Sequence, residues 1–435
     1  MKTFKIITFG CRVNQAESRL IGEKIVKLLN CQIVKKNKKA DFVVINTCCV
    51  TNKAEREVRK EIRRVKRENP DCFLVVCGCF VENKKKKNLE PSSRLFSLVD
   101  LWLGNEEKEK IGEILEKKFT IIDPRSLPNY GKFHDKYARS KKALVKIQDG
   151  CDNFCTYCIV PYVRGRSKSR SAKQIIKEIN SLVEKGIEEV VLTGIDIADY
   201  KFSARGRSSF GRKNHLVQLI KLVLAETEIR KISFGSMGIR IFDDEFIRLY
   251  NENNLRSTAS KFFSSGKMLE RTQFLNIVKG ETLSTKKKNL EPSYRLFSDN
   301  VTMKEYNNRL SSHFHIPLQS GCDAVLKRMK RNYTAEEFIK TIERLKKHIS
   351  NFSFSTDIIV GFPGETKEEF KDTVRVIREI GGILGKKFKK IHVFRYSAKK
   401  GTLAAKKEAQ KDWEKVDERE KKNRAKVLQF LMTNF

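Results

Sequence analysis

The chain has 435 residues, 40% of them hydrophobic, and carries 90 Lys and Arg against 53 Asp and Glu, a formal charge of +37. Length and apolar content suffice for two or three domains with sizeable cores, and the charge attracts polyanions. No apolar stretch approaches the ~20 residues that span a bilayer, and the run Phe4–Phe9 is too short for a signal peptide, so the sequence predicts a cytoplasmic protein with no membrane partner. Eleven cysteines in a reducing compartment argue against a disulfide framework and for metal binding or catalysis.

The first hundred residues alternate strand and helix. "FKIITFG" (4–10), "FVVINT" (42–47) and "FLVVCG" (73–78) read as buried strands. "NQAESRLIGEKIVKLL" (14–29) and "NKAEREVRKEIRRVKRE" (52–68) read as helices. Repeated βα units with apolar strands imply a parallel sheet covered on both faces, with ligands beyond the carboxyl ends of its strands. Cys11, Cys48 and Cys79 each follow one of the three strands, so three thiols converge at one sheet edge as candidate metal or cluster ligands. Cys49 and Cys77 lie just off that register and are expected in the core or beside the ligands. Cys31, Cys72 and Cys322 show no partner pattern and are read as structural.

The first domain is placed at 1–117, followed by a linker at 118–142 that holds Pro124 and Pro128. A second βα series is placed at 143–400, with strands at 143–149, 188–194, 230–236, 313–319, 352–361 and 389–397. Six strands are two short of a closed (β/α)8 barrel, and an open barrel leaves a wide mouth suited to a macromolecular substrate. The segment "KKKNLEPSSRLFS" (85–97) recurs as "KKKNLEPSYRLFS" (286–298), inside an interruption at about 251–308. This is the pattern of an element inserted twice into surface loops, where added length is tolerated. Residues 401–435 are expected to form a basic helical tail.

Cys151, Cys155 and Cys158 follow the first strand of the second series, on the face that carries active sites in such barrels. A closed zinc site needs a fourth ligand, and His134 lies 17 residues upstream. In the alternative, three cysteines hold three irons of a [4Fe–4S] cluster, and the fourth iron stays open for an exchangeable ligand.

CxxxCxxC with Tyr157 before the last cysteine resembles the radical S-adenosylmethionine superfamily. "GCRVNQAES" (10–18), "NTCCVTNKAE" (46–55), "CGCFVE" (77–82), "IQDGCDNFCTYCIVPYVRGRSKSR" (147–170), "HIPLQSGCDAVLKRMKRNYT" (315–334) and "DIIVGFPGETKEEF" (357–370), in that order, resemble the methylthiotransferases. The resemblance implies two [4Fe–4S] clusters, one on Cys11, Cys48 and Cys79 and one on Cys151, Cys155 and Cys158. It implies S-adenosylmethionine, held near Tyr157, Thr193, Gly194 and Gln319, whose cleavage yields a 5′-deoxyadenosyl radical. Cofactors then carry the chemistry while the protein positions them, and no catalytic side chain is assigned.

Three branches share these motifs, acting on isopentenyladenosine 37 or threonylcarbamoyladenosine 37 of tRNA, or on a ribosomal-protein aspartate. "GCRVNQAE", "NTCCVTNKAE" and "RGRSKSR" look most like the threonylcarbamoyladenosine branch. Arg164, Arg166, Lys168 and Arg170 are expected to contact RNA phosphates. Family partners are tRNA and an electron donor such as flavodoxin or ferredoxin, and a monomer is expected. Two departures stand out. The family's glutamate after the third barrel strand is missing from "SFGSMGIR", and the chain stops at "VLQFLMTNF", where the family's small RNA-binding β-barrel begins. They leave a non-catalytic iron–sulfur or RNA-binding derivative as a rival reading.

Overall fold

The computed structural model describes residues 2–35, 37–85, 95–119, 141–201, 214–250, 309–433 and 435. Most of the linker at 118–142, His134, the interruption at 251–308 and the greater part of both repeated segments lie outside the described residues.

The first unit contains β1 (Thr3–Thr8), α1 (Arg12–Leu29), β2 (Gln32–Ile33), β3 (Phe42–Thr47), α2 (Asn52–Glu68), β4 (Phe73–Gly78), α3 (Cys79–Lys85), β5 (Leu101–Leu103) and α4 (Ile111–Phe119). Its sheet is parallel throughout, in the order β2-β1-β3-β4-β5. Every residue of β3 is buried, as a central strand between two helical layers requires. On one face α1 and α4 pack Ile21, Ile25 and Leu115 against Phe4, Val44 and Val75. On the other, Val58, Ile62 and Val65 of α2 meet Val43, Ile45 and Leu74. Local sequence sets the ends of these helices. Thr51 caps α2 by accepting from the Ala54 N–H, and Asn30 closes α1 in the left-handed region at φ 47°.

The second unit contains β6 (Lys142–Lys146), β7 (Gln148–Asp149), α5 (Val160–Arg164), β8 (Lys168–Ser169), α6 (Ala172–Glu184), β9 (Glu189–Thr193), α7 (His215–Glu226), β10 (Lys231–Phe234), β11 (His313–His315), α8 (Asp323–Arg328), α9 (Ala335–His348), β12 (Ser353–Val360), α10 (Lys367–Leu384), β13 (Phe388–Arg395), α11 (Leu403–Ala409) and α12 (Glu418–Met432). Parallel ladders β6-β9-β10 and β11-β12-β13 are joined by bridges Ile232–Leu310 and Ser236–His315. Six main strands therefore run in chain order, and among the described residues β6 and β13 do not pair. This is the open partial barrel, after a parallel α/β sheet, that the sequence predicts.

Alternation along the strands separates two faces. Val145, Val190, Ile232, Phe314 and Phe354 point outward into the helical layer and form the main core. Leu144 and Val191 point inward and meet Ala16 of α1. The first unit thus lays its first helix against the concave side of the barrel and brings the start of that helix to the mouth.

Candidate functional site

The loop after β7 places Cys151, Cys155 and Cys158 at the carboxyl end of the first barrel strand. Gly150 begins it at φ +69°, where a Cβ would lie 2.0 Å from the Arg166 carbonyl oxygen, so only glycine lets the two segments meet. The Cys151 N–H donates to Gly165 O (3.1 Å) and the Cys158 N–H to Cys155 O (2.9 Å). Thr156 ties the loop to the end of α8, its N–H donating to Met329 O (3.2 Å) and its hydroxyl to Arg328 O (2.8 Å). Cys151 and Cys155 are buried. Cys151 Sγ accepts from the backbone N–H (3.5 Å) and the side-chain Nδ2 (3.4 Å) of Asn153, while Cys155 Sγ accepts from Arg331 Nη1 (3.3 Å). Burial pushes the Cys151 thiol up to about 11 and the Cys158 thiol to about 12, and neighbouring thiols add to both.

Cys11, Cys48 and Cys79 form a second group at the carboxyl edge of the first sheet. Cys11 caps α1, Cys48 follows β3, and Cys79 opens α3 directly after β4. Asn14 Nδ2 binds the Phe9 and Thr47 carbonyls (both 2.8 Å), joining the turns that carry the first two thiols. Gly10 sits at φ +102°, where a Cβ would come within 2.6 Å of Cys48 Cβ. Burial raises the Cys48 thiol to about 11, with Cys79 and Cys11 adding to the rise. Cys49 and Cys77 are fully buried in the two cores of this unit.

The donor sets suit a cluster better than a single ion. A tetrahedral zinc with Zn–S bonds of ~2.3 Å holds its sulfurs about 3.8 Å apart. Among the described residues, the group of three ligand atoms within 4.8 Å of one another is His315, Asp357 and His392, and neither cysteine trio is that tight. Soft thiols, three to a set and spaced wider than one ion requires, fit a larger, cationic iron–sulfur core.

The short helix α5 couples the two trios. Ile159 and Val163 pack in one cluster with Cys49, Cys79 and Phe80. Asn105 Nδ2 donates to the Val163 carbonyl (2.6 Å) and lies 3.8 Å from Cys79 Sγ. Arg164, expected from the sequence to meet RNA phosphate, is corrected by the structure. Its side chain is 2% exposed and pairs with Glu17 (3.0 Å) and Asp149 (2.7 Å), and it donates to Asn14 Oδ1 (2.5 Å). Two carboxylates already neutralise this cation in the seam between the units. Arg166 and Lys168 are open, with side chains 71% and 72% exposed. Arg166 also stacks over Phe154 (4.7 Å). Arg170 is partly buried against Glu178 (2.6 Å) and the Lys146 carbonyl (2.7 Å), which leaves it little free face.

Of the residues expected near S-adenosylmethionine, Thr193 ends β9 and is 2% exposed. A Cβ on Gly194 would meet Gln148 Oε1 at 2.9 Å. Gln319 stands at φ 70° with its N–H on the Asp357 carbonyl (2.8 Å), and Tyr157 packs beside Cys322, Phe362 and Tyr396. All four lie in the barrel unit, at or after strand ends or in the cysteine loop.

Sequence reading missed several neighbours. Buried Gln148 accepts from the N–H groups of Ile195 and Asp196 (3.0 Å each) and donates to Ser167 Oγ (2.9 Å), fastening three loops together. On the inner wall His315 Nε2 lies 3.1 Å from Asp357 Oδ2, with His392 beside them. Arg12 Nη1 donates to the Phe234 carbonyl at the end of β10 (3.3 Å), and its charge helps to hold His313 and His392 low after burial. Isolated His and Gln on strands carry no spacing signal that could have revealed them.

Residues 3–104 match the family described as "Uncharacterized protein family UPF0004", and residues 145–260 and 299–377 match the radical SAM superfamily. The chain is 31% identical over 404 residues to the threonylcarbamoyladenosine tRNA methylthiotransferase MtaB of Chlamydia pneumoniae, covering 92% of this chain and 76% of that protein. It is 30% identical over 413 residues to the tRNA-2-methylthio-N(6)-dimethylallyladenosine synthase of Moorella thermoacetica, covering 93% and 78%. Among solved structures, the radical S-adenosylmethionine methyltransferase TsrM of Kitasatospora setae shares the fold, with a TM-score of 0.51 at 11% identity over 87% of this chain and 71% of that one. Two domain matches in the order of the two cysteine trios, and relatives matched along nearly the whole chain, lead to one conclusion: the chain belongs to the radical S-adenosylmethionine methylthiotransferases and is an enzyme of that family.

Proposed function

We propose that this enzyme adds a methylthio group to C2 of N6-threonylcarbamoyladenosine 37 in tRNA. Relatives bearing both tRNA names match at 30–31% identity, which supports a tRNA substrate and leaves the base to be argued from the site. The observation that carries the choice is Arg12. Its guanidinium lies at the barrel mouth, bound to one carbonyl, and among the described residues no carboxylate pairs with it. A threonylcarbamoyl group offers a carboxylate to such a cation, whereas a dimethylallyl group offers only hydrocarbon.

The family implies one [4Fe–4S] cluster with S-adenosylmethionine, and we assign it to Cys151, Cys155 and Cys158. A second cluster on Cys11, Cys48 and Cys79 completes the reading, with electrons from a flavodoxin- or ferredoxin-like donor. When bound, these groups supply the radical and sulfur chemistry that an unactivated C–H bond demands. The chain's own residues hold the thiols at two facing edges, bury Cys48, Cys79, Cys151 and Cys155 while leaving Cys11 exposed, and seat α1 so that Arg12 overhangs the mouth. Exposed Arg166 and Lys168 flank the cysteine loop as phosphate contacts, and a loop base suits the site because it is already single-stranded.

Mass spectrometry of nucleosides from cells with and without the gene tests the substrate. Loss of the methylthio-threonylcarbamoyl nucleoside is expected; loss of the methylthio-dimethylallyl nucleoside alone would overturn the choice made on Arg12. Iron analysis after anaerobic reconstitution tests the sites. Cys48→Ala and Cys155→Ala should each remove one cluster's iron, and only the latter should abolish formation of 5′-deoxyadenosine.

A further inference from the structure

Among the described residues, several buried or half-buried cations are matched with acids. Arg328 pairs with Glu369 (2.6 Å), Arg424 with Glu365 (2.6 Å), Lys108 with Glu17 (2.7 Å), and Arg19 with Glu178. Arg309 donates to three backbone carbonyls at 2.7–2.8 Å. Arg331 is different. Among the described residues no Asp or Glu pairs with it. Its guanidinium lies over the Tyr333 ring (5.0 Å), its Nε donates to Tyr333 Oη (3.1 Å), and its Nη1 donates to Cys155 Sγ (3.3 Å). Withdrawing a guanidinium from water without an anion is costly, so the arrangement calls for negative charge beside it.

We infer that Arg331 is the counter-ion of the cluster held by Cys151, Cys155 and Cys158, and that it raises that cluster's reduction potential. The inference rests on the assignment of the cluster to these three cysteines. Three thiolates around a [4Fe–4S] core leave the assembly anionic, and one-electron reduction makes it more so. A fixed cation donating to a ligand sulfur stabilises the reduced form more than the oxidised form. The electron comes from the external reductant, and no bond to Arg331 forms or breaks.

Its placement is independent of its charge. The Arg331 N–H donates to Leu326 O (2.9 Å), Tyr333 Oη is fixed on the Pro317 and Leu318 carbonyls (3.1 and 2.9 Å), and Thr156 joins the neighbouring backbone to the cysteine loop. The three thiols are also treated unequally. Cys151 receives neutral donors from Asn153, and the charged donor goes to Cys155. Arg331 is thus a positioning and tuning residue rather than a catalytic one.

The test is a redox titration, read by electron paramagnetic resonance, of anaerobically reconstituted full-length protein in a Cys48→Ala background without S-adenosylmethionine. At fixed ambient potential, Arg331→Gln should lower the ratio of reduced to oxidised cluster about tenfold, which is ~59 mV for a one-electron couple. Arg331→Lys should recover part of the loss. An Arg331→Gln protein with full iron and an unchanged ratio would overturn the inference, even if its affinity for S-adenosylmethionine fell. Should Arg331→Gln retain no iron, Arg331→Lys decides: retained iron at a potential near wild type supports a role for charge, and loss from both variants overturns it. If the Arg331-bearing Cys48→Ala protein itself holds no cluster, the cysteine assignment fails instead.

Discussion

Glu17 stands at the centre of the seam between the two units, and Glu17→Gln should destabilise the protein far more than a surface change. Its carboxylate meets Lys108 (2.7 Å), Lys146 (3.1 Å) and Arg164 (3.0 Å), and the side-chain exposures are 5% for Glu17 and 2%, 7% and 2% for the three cations. At an effective dielectric of ~20, each contact near 3 Å is worth about 5 kcal/mol before desolvation is counted. Desolvation offsets much of that, so the pairs add little over an apolar seam, but removing one partner strands the others. Without Glu17, Arg164 and Lys146 keep Asp149 at 2.7 and 3.2 Å, while Lys108 keeps, among the described residues, the Asn105 amide oxygen at 2.8 Å. The expected loss is ~3–5 kcal/mol by urea unfolding of the apoprotein, against under ~0.5 kcal/mol for Glu68→Gln at an exposed pair. The pH dependence has a sign. Burial opposes the Glu17 charge, yet Lys108, Arg164 and Lys146 hold its carboxyl well below the usual value, and Asp149 is lowered too. Depressed carboxyls contribute their stability above the unfolded pKa of about 4 and lose it as pH falls through the folded value. Wild type should therefore weaken below about pH 4, and Glu17→Gln should show a shallower acid limb. A loss under ~1 kcal/mol, or an acid limb equal to that of wild type, would refute a charge-locked seam.

Two further outcomes follow from the site. Gly150→Ala forces a Cβ against the Arg166 carbonyl at a left-handed φ. It should cost the iron of the Cys151 trio while sparing that of the Cys48 trio, and full iron content would show that the loop tolerates the shift. Arg166→Ala combined with Lys168→Ala should reduce the salt slope of tRNA binding by about 1.5, because two phosphate contacts are lost. The melting temperature should hold, since both side chains are exposed; an unchanged slope would remove them from the RNA surface.

The fold was legible where one signal dominated. Largely apolar runs such as 42–47 and 73–78 gave strands to the residue, and the charged run 52–68 gave its helix with the same bounds. The short edge strand Leu101–Leu103 was not foreseen, since three residues carry no period. Positions at the ends of strands one, three and four were enough to group Cys11, Cys48 and Cys79. Arg164 was misread because charge on a loop looks the same whether it faces solvent or three acceptors on another unit. Its partners Glu17 and Asn14 are 147 and 150 residues away. Arg331 went unread for the same reason, being 176 residues from Cys155.

These long-range partners make the two units depend on each other. Helix α5 begins two residues after Cys158 and ends on Arg164, whose guanidinium reaches Asn14, and Asn14 in turn binds the Phe9 and Thr47 carbonyls beside Cys11 and Cys48. From the other side, Asn105 links the Val163 carbonyl to Cys79. The turns beside Cys11 and Cys48, and Cys79 itself, are thus tied through Asn14 and Asn105 to the helix that continues the barrel's own cysteine loop. A change that loosens α5 acts on both sets of thiols, so their relative placement is a property of the seam and not of either unit alone. Under the proposed two-cluster reading, transfer between the cofactors needs such fixed placement, because a shift of about 1 Å between reacting groups costs rate on the order of 100-fold.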